Sequence, residues 1–353
     1  MSIRLLIVDD SAFMRKAISM ILEEEADIEV VGTAKDGLEA IEKVKRLRPD
    51  VVTLDIEMPR MDGLTALRRI MQEHPVPVIM ISSLTYEGAR ETIQALELGA
   101  IDFIPKQFSF VSIGQVEIKE QLIQKIRAAA QSRFRLLRRR ISRPAASSGR
   151  RIHFPRLPSV KIIVIGISTG GPLSLQKVIP RLPAEFSVPI AIVQHMPPNF
   201  TRLLAERLDN LSALRVVEAQ DNMPIAPGTV YVAPGGWHLC IRKRLNGTTC
   251  CLSQEPKNLL FRPSADVLFE SASRVFGKDV LAIVMTGMGK DGLKGAQIIK
   301  AAGGKVIAQD EETSVVYGMP RVVVEAGLAD AVLPLEKIPE ALSQAVGLQV
   351  VPA

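Results

Sequence analysis

Along the first 130 or so residues, short apolar runs alternate with segments whose apolar positions recur every three or four residues. The runs are IRLLIV (3–8), IEVVG (28–32), VVTLD (51–55), PVIMIS (77–82) and AIDFI (100–104). Apolar at nearly every position, they predict strands buried on both faces of a parallel sheet. Between them, AFMRKAISMILEEE, GLEAIEKVKRL, GLTALRRIMQE and ARETIQALELG carry helical spacing. Five such alternations predict an α/β domain with a five-stranded parallel, flavodoxin-like sheet and helices on both sides. A sixth helical segment, VEIKEQLIQKIRAAAQSRFRLL, leads into ISRPAASSGRRIHFPRLP, where the periodicity is lost and a linker is predicted.

The strand pattern resumes with VKIIVIG (160–166), PIAIVQ (189–194), TVYVAP (229–234), VLAIVMT (280–286) and GGKVIAQ (303–309). LSLQKVIPRL, NFTRLLAERL, ADVLFESASRVF and LKGAQIIKAA intervene with helical spacing. A second doubly wound, mostly parallel α/β domain is expected. Residues 229–253 read instead as a β-hairpin excursion, with Asn246-Gly247 as its tight turn. The expected division is a first domain over 1–125, a helical and Arg/Pro/Ser-rich linker over 126–158, and a second domain over 159–348.

Composition narrows the setting. A chain of 353 residues suits two domains, and 47% hydrophobic with 23% charged residues is an ordinary globular balance. The three cysteines, Cys240, Cys250 and Cys251, are odd in number and form no C-x-x-C pair. That argues against a disulfide framework or a zinc site and fits a reducing cytoplasm. The N-terminal apolar run is short and broken by acids, unlike a signal peptide, and no stretch is long enough to span a membrane. The net charge of +6 is concentrated between Arg133 and Arg156. We read that segment as a solvated helix end and linker, because no base-reading motif accompanies it, and expect no nucleic-acid partner.

In an open parallel sheet, sites form at the carboxyl ends of the strands. Asp9 and Asp10 end the first strand and Asp55 the third. Three carboxylates repel one another and call for a hard cation such as Mg²⁺. Ser82 ends the fourth strand and Lys106 follows the fifth; a hydroxyl and an ammonium there would hold a phosphoryl group on a carboxylate. Each acid alone reads equally as a turn residue; five matching positions at one sheet edge do not. VDDS (8–11), LDIEMPRMDG (54–63), Ser82-Ser83 and Lys106 resemble the receiver domain of two-component response regulators. The resemblance covers about residues 1–125. It implies Asp55 as phosphoacceptor, Mg²⁺ held by Asp10, Asp55 and the Glu57 carbonyl with help from Asp9, Ser82 and Lys106 on the phosphoryl group, and Phe103 at an aromatic switch position. One departure is Gln107, where receivers carry a cis proline. A non-proline cis bond costs ~2.5–4 kcal/mol, so a trans loop and a displaced Lys106 are expected.

In the second half, VKIIVIG runs into Gly166-Ile167-Ser168-Thr169-Gly170-Gly171 and then a helix. This matches G-x-S-x-G at a strand-turn-helix junction, which presents Ser168 above the sheet edge. The same glycines could cradle a phosphate or dinucleotide. Two further strand ends favour the nucleophile. PIAIVQ ends at His195, and VLAIVMT ends in TGMGKDG, which carries Asp291. A serine needs a base, and the base needs a carboxylate to fix its tautomer. Met288 N–H is a candidate oxyanion donor. Of four histidines, His74 and His153 read as surface residues, and His195 is preferred over His238 for its strand-end position. The order Ser, His, Asp differs from that of the α/β-hydrolases.

Receiver, basic linker, GISTGG, QHMP, YVAPGGWH, RPSADVLF and TGMGKDG, in this order, resemble the chemotaxis protein-glutamate methylesterase family over essentially the whole chain. The resemblance implies hydrolysis of glutamate γ-methyl esters on cytoplasmic helices of chemoreceptors, and often deamidation of receptor glutamines. It implies Ser168 as nucleophile, His195 as base, Asp291 as orienting acid and the Met288 N–H in an oxyanion hole, with Thr169 and Arg262 lining the site. It further implies Mg²⁺ in the receiver only, no cofactor for the esterase, a chemotaxis histidine kinase as phosphodonor and no membrane insertion. An unphosphorylated receiver would cover the esterase cleft, with the sixth helix and arginine linker as hinge. The alternatives are a non-catalytic regulator with a phosphate- or nucleotide-binding output, or a DNA-binding one; the second half lacks the pattern of a helix-turn-helix.

Overall fold

The computed structural model describes residues 2–106, 116–141, 157 and 159–348; of 116–118 and 132–141 it describes the helical backbone alone. Gln107, His153 and residues 142–156 and 158 of the predicted linker lie outside the described residues, as do the side chains of Arg138–Arg140. The chain divides into units of residues 1–145 and 146–353.

In the first unit, β1 (Ile3–Val8), β2 (Ile28–Ala34), β3 (Val51–Asp55), β4 (Val78–Ser82) and β5 (Asp102–Pro105) form one parallel sheet in the order β2-β1-β3-β4-β5. The helices are α1 (Ala12–Leu22), α2 (Gly37–Leu47), α3 (Gly63–Glu73), α4 (Tyr86–Glu97) and α5 (Val116–Ile141). The first four start at Ser11, Asp36, Asp62 and Thr85, whose side chains each accept the backbone N–H three residues on. Such caps satisfy donors that a helix start leaves orphaned. They end each loop sharply, so the loops stay close to the carboxyl edge of the sheet. The chain direction across the sheet reverses between β1 and β3, which opens a crevice between the ends of these two strands. Buried Leu122, Ile123, Ile126 and Ala129 lay α5 against β3 and β4. Arg127 pairs with Glu25 and Asp27. The expected division at 125/126 falls inside this helix.

In the second unit, β6 (Ile162–Ile167), β7 (Ile190–Gln194), β8 (Arg215–Glu218) and β9 (Thr229–Val232) precede a hairpin of β10 (His238–Arg244) and β11 (Gly247–Ser253). β12 (Val280–Val284), β13 (Lys305–Gln309) and β14 (Ala331–Leu333) follow. Seven strands form a wholly parallel sheet, β14-β13-β12-β6-β7-β9-β8. The antiparallel hairpin stands apart from it. The structure corrects the expected excursion: Val230, Tyr231 and Val232 are buried in the main sheet, and the hairpin begins only at His238. The edge strands β8 and β14 are four and three residues long and partly exposed, which is why no buried run announced them. The helices are α6 (Gly171–Val178), α7 (Phe200–Leu211), α8 (Ala265–Phe276), α9 (Leu293–Ala301), α10 (Met319–Glu325) and α11 (Ile338–Ala345). Fully buried Phe269 carries α8 into a core with Val164, Val193, Ala282 and Val284. From β6 the sheet grows one way to β7 and the other to β12, so its switch point lies at the carboxyl ends of β12, β6 and β7. Among the described residues, no helix is long and apolar enough to cross a membrane.

Candidate functional site

The crevice of the first unit gathers the predicted acids. Val8 pairs with Leu54 and Asp55 with Ile81, so Asp9 and Asp55 leave adjacent strands side by side. Oxygens of Asp9, Asp10 and Asp55 lie within 4.8 Å of one another. Lys106 Nζ donates to Asp55 Oδ2 at 2.6 Å and stands 3.8 Å from Asp9 Oδ2. Asp9 Oδ1 accepts the Ser11 N–H, but its buried Oδ2 accepts no hydrogen bond among the described residues. Burial pushes the Asp55 carboxyl up to about 7; Lys106 pulls the other way, and Asp9 and Asp10 add to the rise. Burial also raises Asp9. For Lys106, burial acts downward and is outweighed by the Asp55 bond, so the ammonium is held more firmly charged. Three carboxylates against one ammonium, with a buried oxygen unspent, is a donor set that fits a hard divalent cation.

Ser82, Glu57 and Lys106 line the same pocket as Asp55. The Ser82 hydroxyl donates to the Gly88 carbonyl at 3.0 Å and accepts from Thr92 at 2.7 Å, a partner that sequence reading missed. Phe103 is buried, with Lys125 Nζ 5.3 Å above its ring and bonded to its carbonyl.

In the second unit, register brings the serine and histidine together. Ile167 pairs with Gln194, and His195 N–H donates to the Ile167 carbonyl, so Ser168 and His195 emerge from adjacent strands, about 4.8 Å apart in a sheet. On the other side, Ser168 N–H donates to the Thr286 carbonyl beyond β12 at 3.0 Å. Thr286 Oγ1 donates to the Thr169 carbonyl and accepts the Val316 N–H. The Gln194 amide donates to the Ser168 carbonyl at 2.9 Å. The serine loop is thus held from three directions. Gly170 follows at φ +76, left-handed, where any β-carbon would also strike Val315 at 2.5 Å.

His195 Nε2 donates to Asp291 Oδ2 at 2.8 Å. The same carboxylate accepts the Ser264 hydroxyl at 2.7 Å and the N–H groups of Ala265 and Asp266 at 2.6 and 3.0 Å. Asp291 therefore caps α8 from another loop, which explains why Ser264 makes no cap bond of its own. Burial would raise this carboxyl, but the His195 bond and charge, with the two backbone N–H groups, hold it down to about 2. His195 Nδ1 is buried and meets no hydrogen-bond partner among the described residues. Phe261 stacks on the imidazole, centroids 4.2 Å apart and planes within 8°.

Met288 is half-buried, and its N–H donates to no acceptor among the described residues. Thr169 is buried beside Ser168. Arg262 is half-buried, donates to the Lys257 carbonyl, and leaves its Nε without a partner among the described residues. His238 is fully buried, bonded to the Pro256 carbonyl rather than to Asp291. Sequence reading did not find Phe261, Ser264, Gln194 or Thr286; RPSADVLF contained the cap serine, but nothing in its spacing tied it to residue 291.

Fold and residues together define the class: a response regulator whose output domain has hydrolase character. The response regulator receiver domain model matches residues 5–116, and the CheB methylesterase model matches 163–342. The Pyrococcus abyssi protein-glutamate methylesterase/protein-glutamine glutaminase is 50% identical over 345 residues, 98% of this chain and 94% of that protein. The Thermotoga maritima protein of the same name is 47% identical over 351 residues, 98% of each. The crystal structure of the Thermotoga maritima CheB methylesterase catalytic domain matches with a TM-score of 0.51 and 50% identity, covering 52% of this chain and 97% of that one. The chain belongs to the CheB methylesterase family. That membership does not favour a DNA-binding or nucleotide-binding output.

Proposed function

We propose that this protein hydrolyses glutamate γ-methyl esters on the cytoplasmic helices of chemoreceptors and deamidates glutamines there, acting in the cytoplasm under control of phosphorylation at Asp55. The observation that carries the reading is the His195–Asp291 bond beside Ser168 at the switch point of a parallel sheet. Residues 1–125, with helix α5 continuing from them, act as receiver, the remainder of 126–158 as linker and 159–348 as catalytic domain.

With Nε2 committed to Asp291, Nδ1 is the free nitrogen and serves as base. It takes the Ser168 proton as the hydroxyl oxygen attacks the ester carbonyl, and Asp291 stabilises the imidazolium that forms. The Met288 N–H donates to the developing oxyanion, and Thr169 and Arg262 position the substrate. The imidazolium returns the proton to the leaving methoxide, and methanol departs. Water, deprotonated by His195, then attacks the acyl-serine carbonyl; as the tetrahedral intermediate collapses, the imidazolium returns that proton to the Ser168 oxygen and glutamate is released. For glutamine the leaving group is ammonia. No cofactor enters these steps.

In the receiver, Asp9, Asp10, Asp55 and the Glu57 carbonyl would hold Mg²⁺, which would supply positive charge beside the Asp55 carboxylate. Ser82 and Lys106 hold the oxygens of a phosphoryl group on Asp55. A chemotaxis histidine kinase is the donor. Methanol release from methylated receptor, measured with and without a phosphodonor, tests the reading. Ser168→Ala should abolish release, and Asp55→Ala should remove only the response to the donor. Release that persists in Ser168→Ala overturns it.

A further inference from the structure

Three of the large hydrophobic side chains that the protein leaves exposed cluster in two loops of the second unit: Trp237, Leu259 and Leu260, at 41%, 37% and 58% exposure. The loops are tied together. Gly236 N–H donates to the Arg262 carbonyl at 3.1 Å, and the His238 ring meets the Pro256 carbonyl at 3.3 Å. They are also tied to the candidate site. Phe261, next in the chain after Leu260, stacks on His195, and the Gly235 backbone lies so close to Pro197 that a β-carbon there would sit 2.3 Å from its carbonyl carbon. So Phe261 turns inward onto the base while Leu259 and Leu260 before it face solvent. Residues 254–260 are all exposed, although water is a poor solvent for two leucines and a tryptophan. Basic side chains flank the partner of His195: Lys290 and Lys294 are exposed on either side of Asp291, and neither is within 4.0 Å of a carboxylate among the described residues, although Lys294 acts on Asp266 from farther off.

We infer that Trp237, Leu259 and Leu260 form a docking rim for an amphipathic, acidic helix of the substrate protein, seating its apolar positions while the lysines face its glutamates. The inference rests on the proposed esterase activity and adds how a protein substrate is told from a free ester. An amphipathic helix offers apolar side chains at i, i+3 and i+4 and can hold one glutamate ester over a neighbouring cleft. The rim stands outside the catalytic residues, so its contacts are made with the helix and not with the reacting carbonyl.

The test compares two substrates on the full chain: a coiled-coil peptide with one glutamate γ-methyl ester on an acidic exposed face, and N-acetyl-glutamate γ-methyl ester. Trp237→Ser/Leu260→Ser should raise KM for the peptide roughly tenfold, the loss of a few buried apolar contacts, and leave kcat/KM for the free ester within about twofold. Both side chains are exposed, and an unchanged thermal midpoint will confirm folding. Lys290→Ala/Lys294→Ala should flatten the salt dependence of the peptide KM. Ser168→Ala, run in parallel, separates the two readings. Hydrolysis that depends on Ser168 but keeps the same preference between substrates in the rim variant overturns the rim alone. So does an equal loss on both substrates, a gain on the free ester, or a changed oligomeric state, since these assign the rim to the active site, to another segment of this chain or to a second copy. Absence of Ser168-dependent hydrolysis overturns both.

Discussion

His195 donates Nε2–H to Asp291 at 2.8 Å, and the same carboxylate closes the N-terminus of α8 through the N–H groups of Ala265 and Asp266. One side chain therefore serves two structures. As a cap it is fixed by the helix; as the histidine's partner it fixes the imidazole. With the Ser264 hydroxyl it receives four donors, so its orientation is set before any substrate arrives. An orientation fixed in advance costs nothing at the moment of reaction.

Asp291→Asn should separate shape from charge. The asparagine fills the same space, but one of its ends must present N–H groups to donors that now face an acceptor. The imidazole loses the partner that selects its tautomer, and kcat should fall by roughly 10³–10⁴, the scale seen when a triad carboxylate is replaced by its amide. Steady-state methanol release checks this, and a fall of less than tenfold would place the orienting role elsewhere.

The same carboxyl makes a prediction about acid stability. Its pKa is about 2 when folded, below an ordinary aspartate near 3.9. A depressed folded pKa stabilises the protein above the unfolded value, and this contribution is lost as pH falls from about 4 to about 2. Asparagine does not titrate there. The stability gap between the parent protein and Asp291→Asn, measured by urea unfolding, should be widest above pH 5 and narrow through that window. A gap independent of pH would show that the carboxylate's bonds contribute no more than the amide's.

Much of this was legible in the sequence because burial on both faces leaves a plain signature. IRLLIV and VVTLD are strands to the residue, and strand ends then placed Asp9, Asp55, Ser168 and His195. The signal failed where burial is partial. RVVE and AVL are short edge strands, and TVYV looked like part of the hairpin because its order in the sheet is a tertiary fact. Phe261 and Ser264 were illegible for a similar reason. Their roles come from loops that meet across 66 and 27 residues of chain, from His195 and to Asp291, and no periodicity records such a meeting. Gln107 predicted a displaced Lys106, yet its ammonium stands 2.6 Å from Asp55.

Gly287 offers a steric test at the serine. A β-carbon there would lie 2.8 Å from Ser168 Cβ and 2.4 Å from Met319 Sδ. The thioether can move; the serine, held through its own backbone, must be displaced for the new methyl to fit. Gly287→Ala should lower kcat by about 10²-fold, the cost of misplacing a nucleophile, with a smaller effect on KM. Crystals of the variant would show Ser168 displaced from His195. Full activity would mean that the loop carrying Met288 yields instead.

In the receiver, the unspent oxygen of Asp9 supplies the last prediction. Asp9 Oδ2 is buried without a hydrogen bond among the described residues, 3.8 Å from the Lys106 ammonium and within 4.8 Å of oxygens from Asp10 and Asp55. Burial and the neighbouring Asp9 and Asp10 push the Asp55 carboxyl up to about 7, so the metal-free protein resists ionising all three acids together, a repulsion that a divalent ion would relieve. Asp9→Asn removes one charge and keeps the shape. In EDTA the variant should be more stable than the parent, with a higher urea midpoint at neutral pH. In Mg²⁺ the order should reverse or close, because the parent gains binding energy that the variant lacks. Phosphate incorporation at Asp55, followed by intact mass against Mg²⁺ concentration, should need at least tenfold more metal in the variant and should vanish in EDTA for both. Equal metal dependence would remove Asp9 from the coordination set, and phosphorylation without metal would remove the ion from the reaction.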